Sequence, residues 1–97
     1  MQKKTPTANG TIRVTFELPA AVTAEHIALC GEFNDWSETA SPMRLARNGR
    51  WHTMVPLQQG RSYRFRYLAD GERWINDWAA DDYVANAFGG DDSVICL

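Results

Sequence analysis

Ninety-seven residues hold one domain around one hydrophobic core, and a composition of 44% hydrophobic and 23% charged residues is that of an ordinary globular chain. A net charge of −2 lacks the basic stripe with which a phosphate-backbone binder displaces counterions, so no nucleic acid partner is expected. No apolar run is long enough to cross a bilayer or to act as a signal peptide, so no membrane partner is expected and a cytoplasmic location is.

Met1 to Gly10 (MQKKTPTANG) is polar, basic and aperiodic and reads as a flexible terminal arm, which leaves a single domain over residues 11–97. From Thr11 onward Ile12, Val14, Phe16 and Leu18 alternate with Arg13, Thr15 and Glu17, the period of a strand buried on one face. Pro19 to Glu25 reads as a connection. Ile27 and Leu29 supply an inward pair to a short strand ending at Gly31, and a turn follows. Met43–Arg47 and Arg50–Leu57 flank Asn48-Gly49, a dipeptide that favours the positive φ of a hairpin loop. Trp51 is in phase with Thr53, Val55 and Leu57 and reads as a core residue.

Tyr63, Phe65 and Tyr67 alternate with Arg64, Arg66 and Leu68, so the aromatic face is expected in the core and the two arginines outside it. Asp70-Gly71 predicts a second hairpin onto Glu72–Ile75. Asn76 to Asp91 has neither period and reads as a long loop, the kind of segment that often carries function. Ser93–Leu97 closes the chain as a short strand. Roughly seven short antiparallel strands with no helix of ordinary length predict an all-β fold, an immunoglobulin-like β-sandwich.

Cys30 and Cys96 fall in predicted strands without ligand spacing, so two small thiols or an inter-strand bridge are both open. The two histidines stand alone, and no metal or other cofactor is expected. The acidic pairs Asp81-Asp82 and Asp91-Asp92 lie in loops and not across a cleft, and no nucleophile elbow or phosphate loop is present. No enzymatic activity is expected. What remains is aromatic: Trp36 follows the turn Phe33-Asn34-Asp35 with no strand partner in phase. A flat indole suits the C–H face of a pyranose, and Arg66, Asn34, Asn76 and Asp92 are candidates for bonding its hydroxyls. A loop tryptophan folded back over the core edge is the alternative for Trp36, and a solvated strand position for Arg66.

The run Gly31-Glu32-Phe33-Asn34-Asp35-Trp36, the stretch Tyr63 to Gly71, Trp74 with Asp77, and Phe88-Gly89-Gly90-Asp91-Asp92-Ser93-Val94 together resemble carbohydrate-binding module family 48. That family includes isoamylase N-terminal (early set) domains, the equivalent domains of glycogen branching enzymes, and the glycogen-binding domain of AMP-activated protein kinase β subunits. The resemblance implies non-catalytic binding of α-1,4-glucan such as glycogen, starch or maltooligosaccharide. It places the paired tryptophans at Trp36 and Trp74, the cationic position at Arg66, the aliphatic position at Phe88 and the polar position of the last loop at Asp92. Arg66 stands where the glycogen-binding domains have lysine, Asp92 where the kinase domains have an amide, and Gly90 where a hydroxyl residue occurs. A two-residue turn at Asp70-Gly71 would set Trp74 opposite Tyr67 on the core face. A three-residue turn with a bulge would set it opposite Arg66 on the outer face. A chain without a catalytic barrel of its own is expected to bind glucan itself, recruiting a glycogen-metabolism enzyme or a kinase-like partner, or to serve as a protein-interaction module of the same fold without sugar binding.

Overall fold

The structure is a computed structural model describing residues 2–19, 21–87 and 89–97, with Ala8 described in its backbone alone. Nine strands form among the described residues: β1 (Gln2–Pro6), β2 (Thr11–Leu18), β3 (Ile27–Gly31), β4 (Arg44–Leu45), β5 (Trp51–Gln58), β6 (Ser62–Ala69), β7 (Arg73–Ile75), β8 (Asp82–Ala85) and β9 (Asp91–Cys96). All pairings are antiparallel. One sheet runs β1-β2-β5-β4, and the other runs β3-β6-β9-β8 with β7 added to β6. The fold is the expected all-β sandwich.

The alternation in β2 closes the core from one side. Ile12, Val14, Phe16 and Leu18 are all buried, and they meet Ile27, Leu29, Tyr63, Phe65, Tyr67 and Ile95 from the facing sheet. Phe16 sits edge-on to Phe65 with ring centres 5.0 Å apart, and Phe65 to Tyr67 at 5.8 Å, contacts that add about 0.5–1.5 kcal/mol each beyond area burial. Tyr67 donates its hydroxyl to Asp77 Oδ2 at 2.6 Å, so its phenol, fully buried in the core, is satisfied by a buried carboxylate. Burial, the Asp77 charge and this hydrogen bond push the Tyr67 phenol well above its ordinary pKa. Trp51 is buried, as its phase predicts.

Two sequence expectations are corrected. The segment expected as a flexible arm contains β1, paired with β2 from Gln2↔Phe16 to Pro6↔Ile12; an edge strand held by its backbone needs no hydrophobic alternation. Lys4 adds a tie to the other sheet, donating to Asp81 Oδ2 at 2.7 Å and to the Cys96 carbonyl at 3.0 Å. The expected loop Asn76–Asp91 likewise contains β8, a short, mostly exposed strand that pairs Asp82↔Val94 through Ala85↔Asp91.

Turn chemistry sets the two hairpins. Between β4 and β5 only Gly49 has positive φ, at 82°, while Gly49 N–H bonds Ala46 O and Ala46 N–H bonds Arg50 O. The loop is therefore three residues with a glycine bulge, and Asn48 does not take the left-handed conformation expected of both central residues. Between β6 and β7, Asp70 and Gly71 both have positive φ, at 54° and 68°, and Glu72 N–H closes on Ala69 O. Glu72 makes the loop three residues long, because Ala69 pairs with Arg73.

Candidate functional site

Register alone assembles one patch. On the outer face of the β3-β6-β9-β8 sheet, Cys30 lies opposite Arg66 and Ala28 opposite Leu68, Trp74 opposite Leu68, and Asp92 opposite Val84. Trp74 is thus on the outer face with Arg66, but paired with Leu68 and with neither Tyr67 nor Arg66. Ala28, Cys30 and Leu68 form a small apolar patch separate from the main core, and the half-buried Trp36 packs onto it.

Trp36 is carried there by a tightly tied loop. After β3 the chain makes one 3₁₀ turn over Glu32–Asn34. Trp36 N–H then returns to Gly31 O at 2.8 Å. Asp35 and Trp36 both take left-handed φ, 54° and 58°, which costs a bulky L-residue about 1–2 kcal/mol. Gly31 is required for a different reason: a Cβ there would stand 2.7 Å from both Arg64 O and the Phe33 ring.

The arginine joins the two indoles. Arg66 places its guanidinium carbon 4.7 Å from the Trp74 ring centre and 6.0 Å from that of Trp36, within reach of cation–π attraction to both. Its Nε lies 3.2 Å from Asp92 Oδ1, yet that N–H is not aligned for a hydrogen bond, so the pair is held by charge. Asp92 also accepts from Asn86 Nδ2 at 3.2 Å, and Arg64 Nη1 stands 3.9 Å from its second oxygen. A shallow cavity of about 330 Å³ opens here, lined by Glu32, Trp36, Arg64, Arg66, Asn86 and Asp92 among others. Indole faces, a planar cation and a rim of polar groups make a surface that can stack an apolar face while hydrogen-bonding its edge.

A sequence profile of carbohydrate-binding module 48, the isoamylase N-terminal domain, matches residues 5–84. The chain belongs to this family. It is also 33% identical over 57 residues to a 1,4-alpha-glucan branching enzyme, GlgB, of Deinococcus radiodurans; that match covers 58% of this chain and 8% of the enzyme. The module thus spans a small fraction of the length of this relative.

Of the residues singled out from the module's sequence, Trp36, Arg66, Trp74 and Asp92 come together. Asn34 and Asn76 are committed to the fold. Asn34 Oδ1 accepts from Gly31 N–H at 3.1 Å, while its Nδ2 donates to Leu29 O at 3.0 Å and to Ser41 Oγ at 3.2 Å. Asn76 donates to Asp91 O at 2.7 Å and accepts from Ser93 Oγ at 2.9 Å. Asp92, expected as a loop group facing ligand, is only 5% exposed and serves Arg66 and Asn86. Phe88 lies outside the described residues. Sequence reasoning gives no role to Glu32, Arg64 or Asn86. Arg64 has a signal in hindsight, since two residues from Arg66 on a strand means the same face. Glu32 reaches the patch by accepting Arg64 N–H at 2.7 Å, and no local pattern announces that.

Both cysteines are free thiols, Cys30 buried and Cys96 exposed. Burial, with the Glu38 charge adding and Arg66 opposing, pushes the Cys30 thiol up to about 11.

Proposed function

We propose that the module binds α-1,4-glucan without transforming it, through the outer face of the β3-β6-β9-β8 sheet. The observation carrying this reading is the placement of the Arg66 guanidinium against both Trp36 and Trp74. Two exposed or half-exposed indoles bridged by a cation give successive glucose rings a stacking surface and a donor between them. Membership of a carbohydrate-binding family supports the ligand class. The α-1,4 linkage is supported by likeness to a protein named as acting on 1,4-alpha-glucan.

Trp36 and Trp74 stack the sugar, Arg66 and Arg64 donate to hydroxyls, and Asp92 holds Arg66 in place. Because the cavity is shallow and buries little of a ligand, affinity is expected to be weak, with Kd on the order of 0.1 mM, roughly 5.5 kcal/mol. The location proposed for this binding is the cytoplasm, where the module would bring a glycogen-metabolism enzyme or a kinase-like partner to the polymer.

Backbone and indole NMR shifts followed during titration with maltoheptaose test the reading, with cellohexaose as the control. Saturable shifts at Trp36, Arg66 and Trp74 with the α-glucan alone are expected, and Trp36→Ala is expected to abolish them in a folded protein. Silence at these residues at millimolar maltoheptaose would send the function to protein partners.

A further inference from the structure

Trp78 has the largest fractional exposure, 64%, of the exposed large apolar side chains among the described residues. It lines no part of the cavity beside Trp36 and Arg66. An indole left in water forgoes the burial stabilisation that large apolar side chains usually supply, so the firmness with which the fold presents it is informative. Asp77, immediately before it, is 1% exposed. Asp77 N–H donates to Ser93 Oγ at 2.9 Å, and its carboxylate accepts from the Tyr67 hydroxyl at 2.6 Å and Ala79 N–H at 2.9 Å. The Tyr83 hydroxyl donates to Asp77 O at 2.6 Å and accepts from Ala80 N–H at 3.3 Å. Backbone on both sides of Trp78 is therefore pinned, and the ring projects from a fixed turn.

The surroundings repeat the chemistry of the first site on other elements. Trp78, Pro19 and Ala79 give a small cavity of about 190 Å³ its apolar surface, and Glu17 and Arg50 line it too. Those two charges form an ion pair, Arg50 Nη1 to Glu17 Oε1 at 2.9 Å, and the third charged lining residue, Asp77, is 1% exposed with its carboxylate taken by the Tyr67 hydroxyl and Ala79 N–H, so the exposed rim is polar with its charges paired. That balance disfavours an anion or a cation as ligand, and the small volume suits one ring better than a helix or strand of a protein partner. Glu17 belongs to β2 and Arg50 precedes β5, both of the sheet that the first site does not use.

The geometry points to a second α-glucan contact at Trp78: one glucose ring stacked on the indole, with the Arg50–Glu17 pair hydrogen-bonding its hydroxyls. This rests on the glucan reading for the ligand class but on no residue of the first site. Two contacts with no shared lining residue let one module touch two chains of a branched polymer, an avidity that a short oligosaccharide cannot reveal.

The test uses the indole N–H resonances in the full chain, titrated with maltoheptaose. The Trp78 signal is expected to move along its own saturation curve. Trp78→Ala is expected to leave the Trp36 and Trp74 curves unchanged and to weaken retention in a glycogen-containing gel roughly tenfold or more. Arg50→Ala, a surface change, is expected to weaken the Trp78 curve several-fold. Movement of Trp78 in a Trp36→Ala protein supports the second contact whatever becomes of the first. Shifts at Trp36 and Trp74 with none at Trp78 overturn the second contact and leave the first reading standing; shifts at no indole overturn both. A Trp78 signal that follows protein concentration and not sugar marks contact between copies of the chain and also overturns it.

Discussion

Asp92 is the buried partner of Arg66: Nε stands 3.2 Å from Oδ1, and the two side chains are 7% and 19% exposed respectively. Removing the arginine leaves a carboxylate in the fold without its nearest counter-ion, with Asn86 and the more distant Arg64 in partial compensation. Arg66→Ala is therefore expected to cost about 1–3 kcal/mol of stability as well as sugar affinity. Arg66→Ala with Asp92→Ala is expected to cost less than the sum of the two single changes, because the orphaned charge is gone. Urea midpoints of the four proteins check this; additive losses would mean that the pair carries no coupling.

Trp36 covers Cys30. The thiol is buried in the patch on which the indole packs, and its pKa is pushed from 9.0 to about 11, roughly a 100-fold loss of thiolate at a given pH. In Trp36→Ala the thiol is expected to gain exposure and fall back toward its ordinary value, so alkylation of Cys30 by iodoacetamide should accelerate by one to two orders of magnitude. Cys96, exposed, should react at the same rate in both proteins. Mass spectrometry of the two cysteine peptides reads the ratio, and an unchanged Cys30 rate would place the protection elsewhere.

The left-handed φ of 58° at Trp36 separates the ring's contribution from the backbone's. Alanine loses the ring and keeps the strain, whereas glycine loses the ring and relieves it. Trp36→Gly is expected to be more stable than Trp36→Ala by about 1 kcal/mol, the reverse of the order at an ordinary β position. Both are expected to lose sugar binding equally. Thermal or urea denaturation of the pair decides the point.

Asp70 and Asp81 contribute to the acid limb of stability, together with Asp77, whose value is also lowered. Hydrogen bonds from His26 N–H and then Glu25 N–H hold Asp70 below its ordinary value. Desolvation pulls Asp81 upward, but the Lys4 ammonium and Cys96 N–H outweigh it and the net shift is downward. A folded value below the unfolded one means that the stabilisation is fully present above the unfolded value of 3.8 and is lost as pH falls through the depressed folded values. Stability is expected to hold from neutrality down to mildly acid pH and to decline below about 4. Asp70→Asn keeps a side-chain oxygen to accept both N–H groups, so it should shallow that decline. Superimposable slopes for the two proteins would remove Asp70 from the account.

Thr11–Leu18 is legible in the sequence because its period-two pattern is the direct signature of one wet and one buried face. Ile27–Gly31 also has the bounds that its inward pair and Gly31 predict, but both its faces are buried, the outer one beneath Trp36. β1 and β8 escape the same reading for a physical reason. Both are largely exposed edge strands, β1 polar and β8 only four residues long, and what holds them is backbone pairing and ties such as Lys4 to Asp81, which leave no mark in hydropathy. The site divides in the same way. The phase of Arg66 and the turn before Trp36 put both on an outer surface, but the face of Trp74 depends on whether Glu72 joins the loop. The internal commitments of Asn34 depend on Leu29 and Ser41 coming within reach, and only the folded chain brings them there.

The Lys4 ammonium binds the carbonyl of Cys96, and the Asp81 carboxylate it also grips takes the Cys96 N–H. The first strand and the last are therefore stitched together across the seam between the sheets, and that seam cannot open at this point without breaking an ion pair and a hydrogen bond together.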